Sequence, residues 1–170
     1  MSSAAWQIRQ ASPSNWRSDA AIDNLFVSDV IPKPAPSELT PKSVLVRIRA
    51  ASINARDMLV ISRDPFDTHN TIPNLTPCAD GAGEVEAVGE GSKWKIGEKV
   101  MITPGAWEDG DVVPDDFKGK GSGSVQGTLR QDAVLVSRNC TGSMFKIGSD
   151  WPCIVTGRLT SDFCPLPLVF

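Results

Sequence analysis

The sequence has no tyrosine and a single histidine, His69, among its 170 residues. Without tyrosine there is no Tyr–Lys proton-transfer pair, which excludes the chemistry of short-chain dehydrogenases. The four cysteines, Cys78, Cys140, Cys153 and Cys164, contain no Cys-x-x-Cys pair. Zinc sites favour four-ligand sets at close spacing, so metal binding has little support. His69 stands in the polar run Asp67-Thr68-His69-Asn70, where a solvated loop position and a ligand role are both open. Basic residues are not in excess. The net charge is −3 and the isoelectric point is near 5.1, so no basic face for nucleic acid is expected. No apolar run approaches the roughly 20 residues that span a bilayer. The segment Met1 to Arg9 lacks the basic and then apolar order of a secretory signal. A soluble cytoplasmic protein is expected, with neither nucleic acid nor membrane as partner. The sequon Asn74-Leu75-Thr76 is then a chance match.

What the chain does contain is short apolar stretches punctuated by glycine and proline. Its length suits one core of ordinary size. Leu25 to Val30 reads as a strand stopped by Pro32-Lys33-Pro34-Ala35-Pro36, whose prolines remove backbone donors and favour an extended connector. Val44 to Ala51 is the clearest strand. Val44, Val46, Ile48 and Ala50 share one face, and Arg47 and Arg49 the other. Ala55 to Ile61 suits a short helix bearing Met58, Leu59 and Ile61. Val85 and Ala87 alternate with Glu84 and Glu86 in a half-buried strand ended by Gly89 or Gly91. Val100-Met101-Ile102 follows a turn at Gly97. Thr128 to Val136 gives a further strand, with Leu129, Val134 and Val136 as its apolar members. Strands at such intervals argue for an all-β barrel or sandwich.

Gly119-Lys120-Gly121-Ser122-Gly123-Ser124 has the look of a phosphate loop. It satisfies neither Gly-x-Gly-x-x-Gly nor the Walker A spacing, and it follows Asp115-Asp116-Phe117-Lys118 instead of an apolar strand. A flexible surface loop is expected there. No dinucleotide fingerprint occurs elsewhere in the sequence.

The densest signal is Pro77-Cys78-Ala79-Asp80-Gly81-Ala82-Gly83-Glu84-Val85-Glu86-Ala87-Val88-Gly89. Its glycines point to a crowded, sharply shaped backbone, with Asp80 at the entrance. Together with Asn54-Ala55-Arg56-Asp57, Lys95-Ile96-Gly97-Glu98-Lys99-Val100 and Gly127-Thr128-Leu129-Arg130-Gln131-Asp132, it resembles the medium-chain dehydrogenase/reductase superfamily. The four motifs stand in the family's order. The resemblance is nearest to the zinc-independent branch, which is quinone-oxidoreductase-like or fungal alcohol-dehydrogenase-like, and covers residues 20–137. It implies a mainly β, GroES-like partly open barrel with one or two short helices, forming one wall of an active cleft. No Rossmann domain is expected in this chain, and 138–170 is expected to be a divergent, poorly ordered tail.

The resemblance also implies roles. Asn54 would lie beside nicotinamide and substrate, as the catalytic and cofactor-contacting candidate; as a residue it is equally suited to cap the helix that follows. Asp57 and Asp80 are the other cleft-lining, cofactor-side candidates, while Arg56 and Asp57 also suit a structural pair holding the turn. Zinc-dependent members carry cysteine and histidine where this chain has Ile53 or its neighbours and Ala79, so no zinc is implied and the cofactor is NADP(H). The implied partner is a small-molecule carbonyl, alkene or quinone, with self-association or association with a homologue also open. On this reading the chain is part of an oxidoreductase and inactive alone. The competing reading is a non-enzymatic GroES-like module that binds a protein partner.

Overall fold

The computed structural model describes residues 2–9, 14–15, 18–64, 71–102, 119–136 and 140–142. His69, Cys153, Cys164 and nearly all of the segment expected as a tail lie outside the described residues. Among the described residues there are seven strands, one α-helix and two short 3-10 helices (Asp19–Asn24 and Pro36–Glu38): β1 (Ser2–Ile8), β2 (Leu25–Pro32), β3 (Ser43–Ser52), α1 (Ala55–Ile61), β4 (Asp80–Val88), β5 (Lys99–Ile102), β6 (Asp132–Val136) and β7 (Cys140–Gly142). Every pairing between these strands is antiparallel. β1 and β2 form one ribbon, and the other five lie in the order β6-β3-β4-β5-β7. The fold is mainly β, with two sheets and no closed barrel among the described residues, as the GroES-like expectation required.

β3 is an interior strand, paired on both edges by β4 and β6, and its sequence is apolar enough to be covered. Val44, Val46 and Ile48 are 0–2% exposed, while Arg47 and Arg49 face water. They meet Val85 of β4, Val100 and Ile102 of β5, and Ala133 and Leu135 of β6 in one cluster. On β6 the faces are the reverse of the sequence expectation. Val134 and Val136 are exposed, and Ala133 and Leu135 are buried. The run Ala-Val-Leu-Val is apolar throughout, so alternation gave no signal; the register Val46↔Ala133 and Val44↔Leu135 decides it. Residues 128–131 are also irregular, not strand, apart from one bridge between Arg130 and Ala5.

β1 was not anticipated. It is tied to distant chain by Trp6 N–H to Leu129 O (3.0 Å), Gln131 N–H to Ala4 O (2.8 Å) and Ile8 N–H to Leu75 O (2.8 Å). Its last residue, Ile8, joins Val60, Ile61 and Leu75 in a second buried cluster. Each such side chain contributes about 1.5–3 kcal/mol by leaving water. That cluster seats α1. Asn24, 3% exposed, donates Nδ2–H to Ile61 O at 2.7 Å and so satisfies a carbonyl at the helix end. The helix thus has a fixed position and presents its first turn to the start of β4. β7 lies inside the segment expected as tail and pairs with β5. Among the described residues no helix is long and apolar enough to cross a membrane.

Candidate active site

The first turn of α1, the segment Pro77–Asp80 and the loop 119–128 converge. Asn54 is the N-cap of α1, in extended conformation (φ −119°, ψ 166°). Its carbonyl accepts from Asp57 N–H at 2.9 Å. The Asp57 carboxylate reaches back to Asn54 N–H at 2.7 Å, which satisfies a helix-end donor. Its other oxygen accepts from Cys78 N–H at 2.9 Å. Asp57 is only 4% exposed, so it acts through the turn it holds.

Cys78 adopts a left-handed conformation, φ +74°, which a non-glycine residue takes only when its surroundings enforce it. Here they do. Asp57 takes its N–H, Thr128 N–H donates to its carbonyl at 2.8 Å, and Gly121 lies flat against its backbone. A Cβ at Gly121 would stand 2.7 Å from Cys78 N. The turn delivers Asp80 to the head of β4. Thr128 Oγ1–H donates to Asp80 O at 2.7 Å, and Asn54 Nδ2–H donates to Asp80 Oδ2 at 2.8 Å.

The sequence-level candidates therefore meet: Asn54 and Asp80 touch, and Asp57 supports both. The backbone carbonyl of Asn54 serves the helix, while its side chain makes no capping hydrogen bond and goes to Asp80 instead. Arg56, instead of being confined to Asp57, extends Nη2 to Ser122 Oγ at 2.7 Å. That contact fastens the 119–128 loop to α1. The flexible surface loop expected at 119–124 is corrected here: Lys120 is 5% and Ser122 7% exposed, and Gly121 is buried. Glycines at alternating positions were the available signal, because they permit close packing as readily as flexibility.

Electrostatics follow burial. Desolvation lifts the Asp57 carboxyl above its ordinary value despite the two N–H donors, with Asp80 adding to the rise. Burial drives the Cys78 thiol far up, and the charges of Asp57 and Asp80 reinforce it. Lys120 is pushed down by burial, with Cys140 and Asp80 opposing. Among the described residues no group of three or more His, Cys, Asp or Glu is placed to hold a metal. Ile53 and Ala79 offer no donor, and Cys78 is sealed beneath Gly121. These residues do not fit zinc.

Comparison with known proteins gives this geometry relatives. Residues 40–144 match the alcohol dehydrogenase GroES-like domain. The chain is 37% identical over 86 residues to the synaptic vesicle membrane protein VAT-1 homolog of Homo sapiens, covering 49% of this chain and 20% of that protein. It is 33% identical over 98 residues to the zinc-type alcohol dehydrogenase-like protein YogA of Leptosphaeria maculans, covering 52% and 25%. The match thus spans a quarter or less of these relatives. In fold it resembles the crotonyl-CoA carboxylase/reductase AntE, solved in complex with NADP, with TM-score 0.61 and 22% identity over 83% of this chain and 36% of that one.

Proposed function

Since the chain belongs to the medium-chain dehydrogenase/reductase superfamily, through its alcohol dehydrogenase GroES-like domain, we propose that it is the N-terminal catalytic-domain part of an NADPH-dependent, zinc-independent oxidoreductase. The domain we assign runs over 20–137, with β1 added to it. The proposed substrates are carbonyls, activated alkenes or quinones, and the proposed setting is the cytoplasm. The observation that carries the reading is the Asn54–Asp80 contact of 2.8 Å, with Asn54 exposed beside it. Asp80 accepts from the amide nitrogen, which fixes the amide's orientation. One N–H and the carbonyl oxygen of Asn54 are left for a ligand. The amide can steady a developing oxyanion or receive a carboxamide N–H without changing its own charge.

Bound NADPH supplies the hydride; the NADP complex of the similarly folded AntE supports that cofactor. The residues of this chain orient and shield. Asp57 holds Asn54 and Cys78 in register, and Thr128 pins Asp80. With Ile53 and Ala79 where zinc ligands would stand, catalysis rests on positioning. On this reading the chain supplies one wall of the cleft and turns nothing over by itself.

The experiment uses the whole cellular polypeptide that carries this segment. NADPH oxidation is followed against a carbonyl, an enone and a quinone, with metal content measured in parallel. Turnover that survives chelation, and that falls at least tenfold in kcat/KM in Asn54→Ala, is expected. Stoichiometric zinc required for activity would sink the proposal. So would capture of a protein partner with no NADPH turnover.

A further inference from the structure

β4 starts where its ladders stop. Ser52↔Asp80 is the last pair between β3 and β4, and pairing with β5 begins one residue later, at Gly81↔Ile102. Among the described residues Asp80 thus has a neighbouring strand on one side only. Strand ends held in this way fray most readily. Yet it is the Asp80 carboxylate that meets Asn54 Nδ2–H at 2.8 Å.

Thr128 supplies the missing hold. It is 1% exposed and comes from a separate segment, 48 residues further along the chain. Its single hydroxyl proton is shared between two carbonyls, Asp80 O at 2.7 Å and Cys78 O at 3.3 Å, which bracket the left-handed turn. Thr128 is itself fixed. Its N–H donates to Cys78 O at 2.8 Å, and on either side Gly127 N–H donates to Thr76 O at 2.8 Å and Leu129 N–H to Pro77 O at 3.2 Å. A Cβ on Gly81 would stand 3.0 Å from Thr128 Cβ and 3.2 Å from its methyl. A β-branched side chain has few χ1 choices; here the methyl lies toward Gly81 and the hydroxyl faces Asp80 O.

The Asn54–Asp80 contact therefore has two supports of different origin. Asp57 holds the α1 side through the N–H of Asn54, and Thr128 holds the β4 side through the carbonyl of Asp80. Loss of the hydroxyl deprives a buried carbonyl of its donor and releases a strand end. Small displacements of that kind matter most where a site works by positioning.

We propose that Thr128 is a positioning residue: its hydroxyl sets where the Asp80 carboxylate stands and, through it, which way the Asn54 amide points. The effect on turnover rests on the oxidoreductase reading of the site; the effect on the amide does not.

The test labels the whole cellular polypeptide that carries this segment with 15N-asparagine and reads the Asn54 side-chain NH2, assigned by its loss in Asn54→Ala. One of its two protons is expected downfield and slow to exchange, because it is bonded to a carboxylate. Thr128→Val keeps the shape and removes the donor, so the two protons are expected to draw together and exchange faster. Thr128→Ser restores the donor and is expected to restore the signal. Thr128→Ala, which also lacks the hydroxyl, gives the same reading should the valine variant not fold. An Asn54 signal unchanged in a folded variant without the hydroxyl overturns the proposal. In NADPH oxidation, kcat is expected to fall about tenfold in Thr128→Val, with KM for NADPH nearly unchanged. Added to Asn54→Ala, the same substitution is expected to cost nothing further. A further loss in that double variant places the effect of Thr128 elsewhere and overturns the proposal too. Absence of turnover in the unsubstituted polypeptide counts against the oxidoreductase reading alone, and the amide signal still decides the role of Thr128.

Discussion

The Asp57 carboxylate accepts the backbone N–H of Cys78 at 2.9 Å, across 21 residues of chain. This bond joins the first turn of α1 to the left-handed turn ahead of β4. Because the same carboxylate also takes Asn54 N–H, one buried side chain sets the separation of Asn54 and Asp80.

Asp57→Asn keeps the shape and replaces one acceptor oxygen by a donor. One of the two backbone N–H groups then faces an N–H in a buried place. A loss of about 1–3 kcal/mol is expected, read as a lowered urea midpoint with unchanged slope. An unchanged midpoint would mean that the bond to Cys78 carries no weight.

Gly121→Ala puts a Cβ within 2.7–2.9 Å of the Cys78 backbone at φ +73°. Strain and overlap together are expected to cost at least about 2 kcal/mol. Urea unfolding measures the cost, and a loss of under about 0.5 kcal/mol would refute the packing of this loop on Cys78.

Lys33 binds Glu86 and Asp132 at once. Burial lowers its ammonium, but the hydrogen bonds to the two acids outweigh that, so its pKa stands above the ordinary 10.5. The folded form holds this proton more tightly than the unfolded one. The resulting stabilisation is complete below 10.5 and is lost as pH rises through the folded value. The urea-midpoint gap between the unsubstituted chain and Lys33→Met is expected to be flat from about pH 7 to about pH 9 and to close above about pH 10.5. A gap that widens at high pH contradicts the sign.

Cys78 and Cys140 are 0% and 1% exposed. Desolvation pushes the Cys140 thiol to about 11 and Cys78 higher still, so neither offers thiolate at neutral pH. Both are expected to resist iodoacetamide in the folded chain and to react fully in urea, as peptide mapping by mass spectrometry would record. Rapid labelling of Cys78 while folded would contradict the closed turn.

Some of this structure was legible in the sequence and some was not. α1 was found at its observed bounds, Ala55–Ile61, because Asn54 suits a helix start and Pro65 follows shortly after. β3 and β4 were found because charged and apolar residues alternate along them. The register of β6 was hidden by four apolar residues in a row. The glycine-rich loop misled for a related reason: polarity and small size describe solvent exposure and tight backbone packing alike. The meeting of Asn54 with Asp80 was accessible only through the family resemblance, since the two lie 26 residues apart and nothing local joins them. β1 gave no warning: beyond its pairing with β2, the bonds that hold it run to Leu75, Leu129 and Gln131, far away in sequence.

That last feature sets a clock. Ala4 pairs with Gln131, 127 residues later, and the ends of so long a loop meet at a considerable entropic cost. On the ribosome, at roughly 5–20 residues per second, β1 emerges roughly 6–25 s before its partner exists. It has β2 to pair with in the meantime, so the growing chain carries a two-stranded ribbon that waits. The seam that joins Ala4 and Ala5 to Arg130 and Gln131 is then among the late contacts to form during synthesis.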